Sequence, residues 1–544
     1  MEDLVIWFAL AVLATGLVDA FAATLTVASR TSLHPGKADF ACDGIDDQIE
    51  IQQALDALPE VGGAVQLMEG TFTLTAAVEL PRDRVSLRGM GASTVLEHAP
   101  TDWVALARDV HAGDQSVEVS DVTAFRVGQL VGVTDTVINP IVEEGSSYWY
   151  YNNYYVKSLI HRIEAIDGKK LLLDRVVDCD VVVGRGARIA PAWVMIKAYG
   201  KRHLELADFS LDGQREHVAR VYGSYSTYDP PPGYPDAPTP PPPTLFPYLR
   251  HGEEITSAIY MEGAHHSRFH GLALREVACS GMFFVQSDHL LVESNTIHGI
   301  GLKGYCNVFG SDCRILGNEI IESVYEDGIN VYDTPASVSV VADNIVKRCR
   351  RACILINQSQ KAVVTGNNVR GDDTSDDQGV GIGVVSQEAV VTGNFVEHTG
   401  TAIVITALGE FWKVESEAYP ITVSGNAIRR TFTGLRVRDA DQVTITGNAF
   451  SEVMGRAALI SVGKTAADGL LVTGNQFMNG REKDQPAIWL GGTRHVICSN
   501  QIMGFGRGIY LVSESEECII ENNLFHRVGE EIVRAVVAEE ALPA

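Results

Sequence analysis

From about residue 287 the chain repeats a short pattern of apolar residues, one small residue, an asparagine and further apolar residues. It reads VESNTI, ILGNEI, VADNIV, VTGNNV and VTGNFV, and it continues to IENNLF near the C-terminus. The asparagines recur every 22 to 32 residues, as Asn295, Asn318, Asn344, Asn367, Asn394, Asn426, Asn448, Asn475, Asn500 and Asn522. Strand-like units with this period predict a solenoid, and the leucine frame of the competing leucine-rich repeat is absent.

Each period carries three short strand signals separated by turn residues. In Gly328–Lys347 these are GINVYD, VSVVAD and IVK. Three strands per coil predict an all-β fold, a right-handed parallel β-helix. Asparagines at one turn of successive coils can bond to each other and to turn backbone groups. We therefore interpret the asparagine row as scaffold.

The N-terminal body begins with a helix. Asp46 and Asp47 precede Gln48–Leu58, in which Ile51, Leu55 and Leu58 fall on one helical face. This pattern predicts an amphipathic helix whose N-terminus is capped by an aspartate. The segment VGGAVQLMEGTFTLTAAVEL that follows predicts the first strands of the solenoid.

Here the chain resembles the pectate-lyase-like β-helix superfamily. The resemblance is carried by ACDGIDDQIEIQQALDALPEVGGAVQLMEGTF, by VSLRGMG and by FSLDG, and it covers most of residues 38–100 and 187–530. It implies that the helix caps the open end of the solenoid, which would otherwise be an exposed sheet edge. It also implies a sugar groove along one sheet. The superfamily includes polysaccharide lyases, glycoside hydrolases, mannuronan epimerases and phage tailspikes.

Two segments interrupt the repeat. Residues 104–186 lack the asparagine and predict a small inserted β subdomain. Residues 217–255 contain DPPPGYPDAPTPPPPTLFP, which cannot form a ladder strand and predicts a long loop. The predicted organisation is an N-terminal segment 1–23, a cap with the first coils 24–103, the insert 104–186, the β-helix 187–535 and a tail 536–544.

Composition and charge limit the classes of binding partner that we expect. The formal charge is −26, which disfavours nucleic acid and anionic membrane surfaces. Residues 4–18 are apolar and Ala20-Phe21-Ala22 offers a cleavage site, so we expect a signal peptide or an N-terminal anchor helix. No other segment is long and apolar enough to span a membrane. We therefore expect no integral membrane body, and a secreted, extracellular or virion-surface location.

The predicted binding face lies on the sheet formed by AIYMEG, GMFFVQS, GYCNVFG, GINVYDT and ACILINQ. If Ile329 and Val331 point inward, alternate residues point outward. This places six polar or aromatic side chains on the outer face: Tyr260, Glu262, Tyr305, Asn307, Asn330 and Tyr332. Such a face suits the binding of sugar rings and hydroxyl groups. The alternative is an ordinary surface whose polar side chains have no binding role.

Carboxylates and arginines meet next to this face. Glu326 and Asp327 precede the strand and Asp333 ends it, while one coil later the chain reads Lys347-Arg348-Cys349-Arg350-Arg351. The three carboxylates are the candidate acid, base or nucleophile of a glycosidase. Arg348 and Arg350 are candidates for binding a uronate. The alternative is salt bridging between coils.

Three further groups of residues are candidates for binding a ligand. Five histidines cluster in sequence without a metal-binding spacing: His265, His266, His270, His289 and His298. A loop with Asp372, Asp373, Asp376 and Asp377 could bind Ca²⁺, the only cofactor that the sequence suggests, or be a solvated acidic loop. The aromatic tract 148–155 includes Trp149, and it is either a carbohydrate platform or a packing contact of the insert.

The reactions of the superfamily's enzymes cannot be assigned to this chain by matching their catalytic residues. Where mannuronan epimerases carry SGYGFDPHE, this chain has SGMFFVQSD, with Met282, Val285 and Ser287 in place of tyrosine, aspartate and histidine. We therefore expect a polysaccharide-active enzyme, a lyase or a hydrolase. The alternative is a non-catalytic tail, adhesin or surface protein that binds glycan or serves as a stalk. A homotrimer is left open as the assembly.

Overall fold

The computed structural model describes the residues of fifteen ranges: 23–136, 159–177, 179–219, 221, 224–225, 253–254, 256–333, 338–372, 379–386, 388–407, 420–438, 440–462, 466–479, 485–512 and 515–534. The chain divides into unit 1, which ends at Ala278, and unit 2, which begins at Cys279. Both units consist mainly of short strands that pair in parallel with the equivalent strand of the next coil.

Unit 1 contributes strands to three parallel sheets. The first contains Phe40–Ala41, Ala23–Ala28, Gly63–Leu67, Val85–Arg88, Glu205–Ala207 and Arg268–His270. The second contains Gly70–Leu74, Thr94–His98, Ser210–Asp212 and Ala273–Val277. The third contains Val78–Glu79, Ile196–Tyr199 and Ile259–Glu262. Short 3-10 turns lie at Pro35–Lys37, Gly91–Ser93 and Val183–Arg185, and Ser224–Tyr225 pairs with Glu253–Glu254.

One α-helix, Gln48–Asp56, packs on the first strands of unit 1. Ile51, Leu55 and Leu58 are buried, as the helical pattern predicts. The predicted cap is wrong, however, because the Asp47 side chain makes no capping bond to the helix. Its carboxylate instead accepts the amide N–H groups of Gly44 and Thr73, each at 2.8 Å. Asp47 therefore ties the start of the helix to the neighbouring strand.

An antiparallel sheet interrupts the coils of unit 1. Its strands in spatial order are Val104–Ala105, Arg188–Pro191, Leu130–Thr134, Leu159–Asp167, Lys170–Leu173 and Ser116–Glu118. A separate core that includes Val117, Phe125, Val131, Ile163 and Leu171 lies against it. An inserted β subdomain is thus present in this part of the chain. The predicted limits 104–186 stay a prediction, and the last strand of the sheet runs to Pro191.

Unit 2 repeats three strands per coil. Its first sheet contains Leu291–Glu293, Arg314–Leu316, Val338–Ala342, Lys361–Thr365, Glu388–Thr392, Ile421–Ser424, Thr444–Thr446, Leu471–Thr473, Val496–Cys498 and Ile519–Glu521. Its second contains Thr296–Ile300, Glu319–Ser323, Ile345–Cys349, Asn368–Arg370, Phe395–Glu397, Ala427–Arg429, Ala449–Ser451, Gln476–Met478, Gln501–Met503 and Leu524–His526. Its third contains Met282–Val285, Tyr305–Gly310, Ile329–Asp333, Ala352–Gln358, Val380–Ser386, Thr401–Ala407, Thr433–Arg438, Leu459–Ser461, Pro486–Leu490, Arg507–Leu511 and Glu530–Arg534.

Side-chain alternation along each strand separates the core from the surface. In the third sheet of unit 2 a continuous inward row of apolar side chains is fully buried, and it includes Ile329, Ile354, Ile382, Ile403 and Leu435. The core is therefore a stack of equivalent apolar positions, which explains why the sequence repeats β-branched and leucine residues at a fixed place in each coil.

The asparagine row forms a continuous hydrogen-bonded ladder. Asn367 is typical: its Nδ2 donates to Asn394 Oδ1 at 2.9 Å and to the Val341 carbonyl at 2.9 Å. Its Oδ1 in turn accepts from the backbone N–H and the Nδ2 of Asn344. The last predicted member is wrong, because Asn500 bonds to Asn523 and not to Asn522.

The residue before each ladder asparagine adopts a left-handed backbone. Gly366 has φ +65° and Gly393 has φ +64°, and Asn522 has φ +55° in the same place. This conformation favours glycine, asparagine and aspartate, which tolerate positive φ. It accounts for the small residue in the repeat and for the shift of the last rung to Asn523, because Asn522 occupies the left-handed position.

The all-β fold class, a parallel β-solenoid with a capping helix, is confirmed. The cysteines at positions 306, 313, 349 and 353 are buried. No helix within the described residues is long and apolar enough to cross a membrane. The apolar segment 4–18, the tract 148–155 with Trp149, and most of the proline-rich segment 217–255 lie outside the described residues.

Candidate functional site

A carboxylate cluster lies at the start of three neighbouring strands in unit 2, Tyr305–Gly310, Ile329–Asp333 and Ala352–Gln358. It consists of Lys303, Glu326, Asp327, Asn330 and Arg351. Arg351 contacts both carboxylate oxygens of Asp327, with its Nε donating to Oδ1 at 2.8 Å. The Asn330 side-chain amide donates to Oδ2 at 2.6 Å. Lys303 Nζ lies 2.9 Å from Glu326 Oε2. Both carboxylates are thus neutralised by a cation of the same cluster.

Burial dominates the electrostatics of this cluster. The Asp327 side chain is 0% exposed and that of Glu326 is 5% exposed. Burial and the neighbouring Glu326 raise the pKa of Asp327 well above its usual value. Burial also lowers the pKa of Arg351 to about 10. A fully buried, ion-paired carboxylate has no open side for a substrate, so the contacts of Asp327 are those of the salt bridge between coils.

The predicted arginines lie elsewhere. Arg348 pairs with Glu322 at 3.5 Å, and Arg350 is exposed. Asp333 ends the strand Ile329–Asp333, and its side chain lies outside the described part. The sequence missed Lys303 and singled out the wrong member of the basic run. Parallel stacking of the turns before the two strands places Arg351 next to Asp327, and this register is not visible in the repeat alone.

Two predicted surface residues point into the core. Tyr305 pairs in register with Ile329 and Asn307 with Val331, and parallel partners in register face the same side. Both side chains are 0% exposed. The prediction that they face outward is therefore wrong. Its cause is the apolar character of Cys306 and Val308, which resemble core positions but lie on the outer face.

Other predicted residues do face outward. In unit 1, Tyr260 and Glu262 pair with Lys197 and Tyr199, between the inward rows of that sheet, but the Tyr260 side chain is fully buried. The Tyr260 hydroxyl donates to Glu262 Oε2 at 2.9 Å, and burial raises the pKa of Glu262.

In unit 2, Asn330 alternates with the inward Ile329 and Val331, and it is only 4% exposed. Tyr332 is half-buried and packs edge-on against Phe309, with 5.7 Å between the ring centroids. The two predicted outward residues of this strand are thus covered to a large extent.

The outer row that contains Asn330 is largely apolar. It runs through equivalent positions of successive coils, namely Phe283, Cys306, Asn330, Leu355, Gly383, Val404, Arg436, Ile460, Trp489, Tyr510 and Val533. The sequence predicted a face rich in tyrosine and asparagine, and this row corrects that prediction. Its register becomes visible only when the inward partners of each strand are known.

An aromatic platform, which the sequence reasoning missed, lies at the C-terminal end of this row. It consists of Arg436, Trp489, Arg507 and Tyr510. The Trp489 and Tyr510 rings meet edge-to-face with centroids 5.9 Å apart, and both side chains are half-buried. The Arg507 guanidinium lies 5.2 Å from the centre of the Tyr510 ring. The signal in the sequence is an aromatic residue at the same place in PAIWL and GIYL.

The five histidines do not form one centre. In unit 1, His270 Nε2 lies 2.9 Å from Glu205 Oε1, and His266 stacks on His203. In unit 2, His289 lies 4.0 Å from Asp312 and His298 lies 3.9 Å from Glu319. Three of these contacts pair a histidine with an acid of a neighbouring coil, and the fourth stacks two histidines.

One group of possible metal ligands occurs among the described residues. Ligand atoms of Cys42, Asp47 and Glu50 lie within 4.8 Å of one another. Both oxygens of Asp47 already accept backbone N–H groups, which explains this arrangement without a metal. Of the predicted calcium loop only Asp372, which is exposed, belongs to the described residues. The Ca²⁺ site stays a prediction.

Comparison with known proteins agrees with the fold. Residues 253–410 match the family model described as a right handed beta helix region. Residues 371–534 match the model of the periplasmic copper-binding protein NosD. Together with the parallel coils, these matches show that the chain is a right-handed parallel β-helix protein. Each model matches less than half of the chain. Comparison with the sequences of curated proteins gives no significant match.

Comparison with solved structures finds chains that have low sequence identity to this one. The tailspike protein gp49 from Pseudomonas phage LKA1 is 10% identical over 86% of this chain and 76% of its own, with a TM-score of 0.39. The A-module of an Azotobacter vinelandii mannuronan C-5 epimerase is 14% identical over 91% and 97%, with a TM-score of 0.39. An exopolygalacturonase from Thermotoga maritima is 11% identical over 88% and 87%, with a TM-score of 0.35.

Proposed function

We propose that the protein recognises a polysaccharide on the aromatic platform of unit 2. The observation that carries the proposal is the pair Trp489 and Tyr510, which occupy equivalent outward positions in neighbouring coils and are only half-buried. Aromatic side chains that combine an apolar ring with a polar edge suit ligands with both apolar and hydroxylated faces. A sugar ring has both kinds of face.

The spacing of the coils supports a chain-like ligand. Neighbouring parallel strands lie about 4.8 Å apart, so equivalent side chains of successive coils form a ladder along the solenoid. Arg436 lies in the same outer row, two coils before Trp489. An arginine offers several donors in a fixed plane and suits hydroxyl or carboxylate groups. We infer that the glycan runs along the row and contacts each of these coils in turn.

Cleavage of the bound glycan is the second candidate function, as a lyase or a glycoside hydrolase. Among the predicted carboxylates, Glu262 favours it, because it faces outward, accepts a hydrogen bond from Tyr260 and has a raised pKa. A general acid needs a raised pKa to keep its proton near neutral pH. Asp327 and Glu326 suit this role less, since both are buried in ion pairs.

The proposal also covers the location of the protein and its state of assembly. The apolar segment 4–18 with its cleavage site suggests export, so we propose a secreted, extracellular or virion-surface protein. A polysaccharide or oligosaccharide is its proposed partner, with no role for nucleic acid at this net charge. A homotrimer is a proposal that sedimentation equilibrium would test.

The test is binding to immobilised neutral, uronate-containing and sialylated polysaccharides. Trp489→Ala and Tyr510→Ala are each expected to weaken binding at least tenfold, because a stacked ring contributes strongly to a carbohydrate contact. Phe395→Ala is the matched control. Phe395 lies under Arg429 at 5.1 Å, in the same kind of cation–π contact but on the second sheet. Equal losses in all three variants, or no loss in the first two, would refute the platform.

A further inference from the structure

The last described coil of unit 2 leaves part of its apolar core open. Ile509 is fully buried in the coil before it, whereas Ile532, its inward partner in register, is 47% exposed. The inward residues of the other two sheets are likewise fully buried in one coil and only half-buried in the next. These pairs are Ile497 with Ile520 and Ile502 with Phe525. The described part of unit 2 thus ends in an apolar face that none of its residues covers.

Backbone groups of this coil also point away from the preceding coils. The N–H of Ile519 donates to the His495 carbonyl at 2.8 Å, and the Glu521 carbonyl accepts the N–H of Ser499 at 3.2 Å. Both bonds lead back to the preceding coil. Because backbone groups alternate in direction along a strand, the N–H and C=O of Ile520 point the opposite way. An open edge of this kind, with an apolar face beside it, is a template for a further strand.

Residues 535–544 lie outside the described part of the chain, and their sequence continues the repeat in register. Successive coils here are 23 residues apart. One period after the exposed pair at 516–517, which is Glu-Glu, the sequence again has Glu-Glu at 539–540. The buried or half-buried positions of the preceding period have apolar counterparts. These are Ala538 for Ser515, Ala541 for Cys518 and Pro543 for Ile520.

The proline at 543 suits a closing strand. Proline has no N–H and is therefore confined to edge strands within sheets. At the position of Ile520 the N–H points away from the preceding coil, so Pro543 loses no bond to the strand Ile519–Glu521. It also removes a donor that a further strand would need, which blunts the new edge. The sequence thus has a residue that permits pairing on one side and hinders it on the other.

We propose that residues 535–544 dock on the open end of unit 2, with Leu542–Ala544 paired in parallel with Ile519–Glu521. The length of chain fits this path, because eight residues lead from Arg534 to Leu542, as eight lead from Leu511 to Ile519 in the coil before. Alanine and proline at the inward positions close the core and add little apolar surface of their own. The covered end no longer offers an edge to a second molecule.

Amide hydrogen exchange in the full chain, read by mass spectrometry, tests the proposal. The probe is the peptide that contains Ile520, whose N–H donates to the Leu542 carbonyl in the docked segment. The double variant Ala538→Asp, Ala541→Asp puts carboxylates at inward positions, where burial is costly. It should speed the exchange of this peptide by a factor of about ten or more, because the segment then opens readily. The matched control, Glu539→Gln with Glu540→Gln at the exposed positions, should exchange like the wild type.

The peptide that contains Ile497 is the internal reference, since it must stay slow in every variant that remains folded. Fast exchange of the Ile520 peptide in the wild-type chain overturns the proposal, because the end is then open. Slow exchange in the aspartate variant also overturns it, and a chain shortened after Arg534 provides the second reading of the same result. Protection that rises with protein concentration, with dimers in sedimentation velocity, assigns the open end to a second copy instead.

Discussion

The second sheet carries an outward charged row in each unit, and the two rows are organised in opposite ways. In unit 2, Glu397 pairs in register with Arg370 on one side and Arg429 on the other, at 3.8 and 2.8 Å. In unit 1, Asp212 has Arg275 on one side and a second acid, Glu97, on the other. The backbone register is the same, and only the order of the charges differs.

This difference indicates which charges belong to the scaffold. In unit 2 the polar groups have partners of complementary charge or hydrogen bonding. Glu397 pairs with two arginines, Asp327 pairs with Arg351, and each ladder asparagine hydrogen-bonds to the asparagine of the next coil. Removal of one partner there should destabilise the fold. In unit 1, Glu97 lies beside the like charge of Asp212 and Arg275 offsets its charge only in part, so removal of the Glu97 charge should not cost stability. A charge that a fold keeps at such a cost is a candidate for function.

The largest expected effect is at the buried ion pair of unit 2. Asp327→Ala leaves the guanidinium of Arg351 without its carboxylate, and it should lower the free energy of unfolding by about 3 kcal/mol, measured by urea denaturation. Glu322→Ala is the control, since its pair with Arg348 is half-exposed and should contribute less than about 1 kcal/mol. Similar losses in both variants would show that burial does not distinguish the pairs.

The asparagine ladder should give the next largest effect. Asn367→Ala removes bonds to Asn344, Asn394 and the Val341 carbonyl, and it should cost about 1–3 kcal/mol because buried partners lose their hydrogen bonds. Asn368 is its sequence neighbour and is exposed, so Asn368→Ala should change stability by less than about 0.5 kcal/mol. A ladder variant that unfolds at the same urea concentration as wild type would contradict the scaffold role.

A smaller effect is expected in the compensated row itself. Glu397→Gln removes the charge between Arg370 and Arg429 and should cost about 0.5–1 kcal/mol, since the arginines are about half exposed. The loss should shrink in 1 M salt, where exposed charges are screened. A gain in stability would mean that the alternation of charge in unit 2 has no stabilising role.

The pKa of Glu205 in unit 1 is shifted in the opposite direction to that of Glu97, which burial and the charge of Asp212 raise. Glu205 accepts bonds from His270, Ser86 and Arg88, and these contacts lower its pKa to about 2 against the opposing effect of burial. Its stabilisation is therefore present above its ordinary pKa of 4.5 and is lost as the pH falls towards 2. Glu205→Gln should remove this part of the acid sensitivity of unfolding.

The fold could be predicted from the sequence because the repeat shows which residues of each coil are apolar and point inward. The sequence could not show which residues of neighbouring coils lie in register, or which charged residues distant in the chain become neighbours. Tyr305 and Asn307 were placed outward because Cys306 and Val308 look like core residues, and Asn522 was taken for the last rung although it fills the left-handed position. Glu97 and Asp212 are 115 residues apart in sequence, with the insert between them, so no local pattern could bring them together.

The most direct test of the account is the stability of Glu97→Gln relative to wild type as a function of pH. Because the pKa of Glu97 is raised, its native state holds the proton more firmly than the unfolded state, and wild-type stability must fall as the pH rises above 4.5. Urea denaturation at pH 7 should therefore show Glu97→Gln to be more stable by about 0.2–1 kcal/mol, the cost of like charges at opposed positions. The difference should vanish below pH 4.5, where Glu97 is protonated in both states. A variant that is less stable than wild type at pH 7, or a difference that does not change with pH, would contradict the account of Glu97 as an incompletely compensated carboxylate.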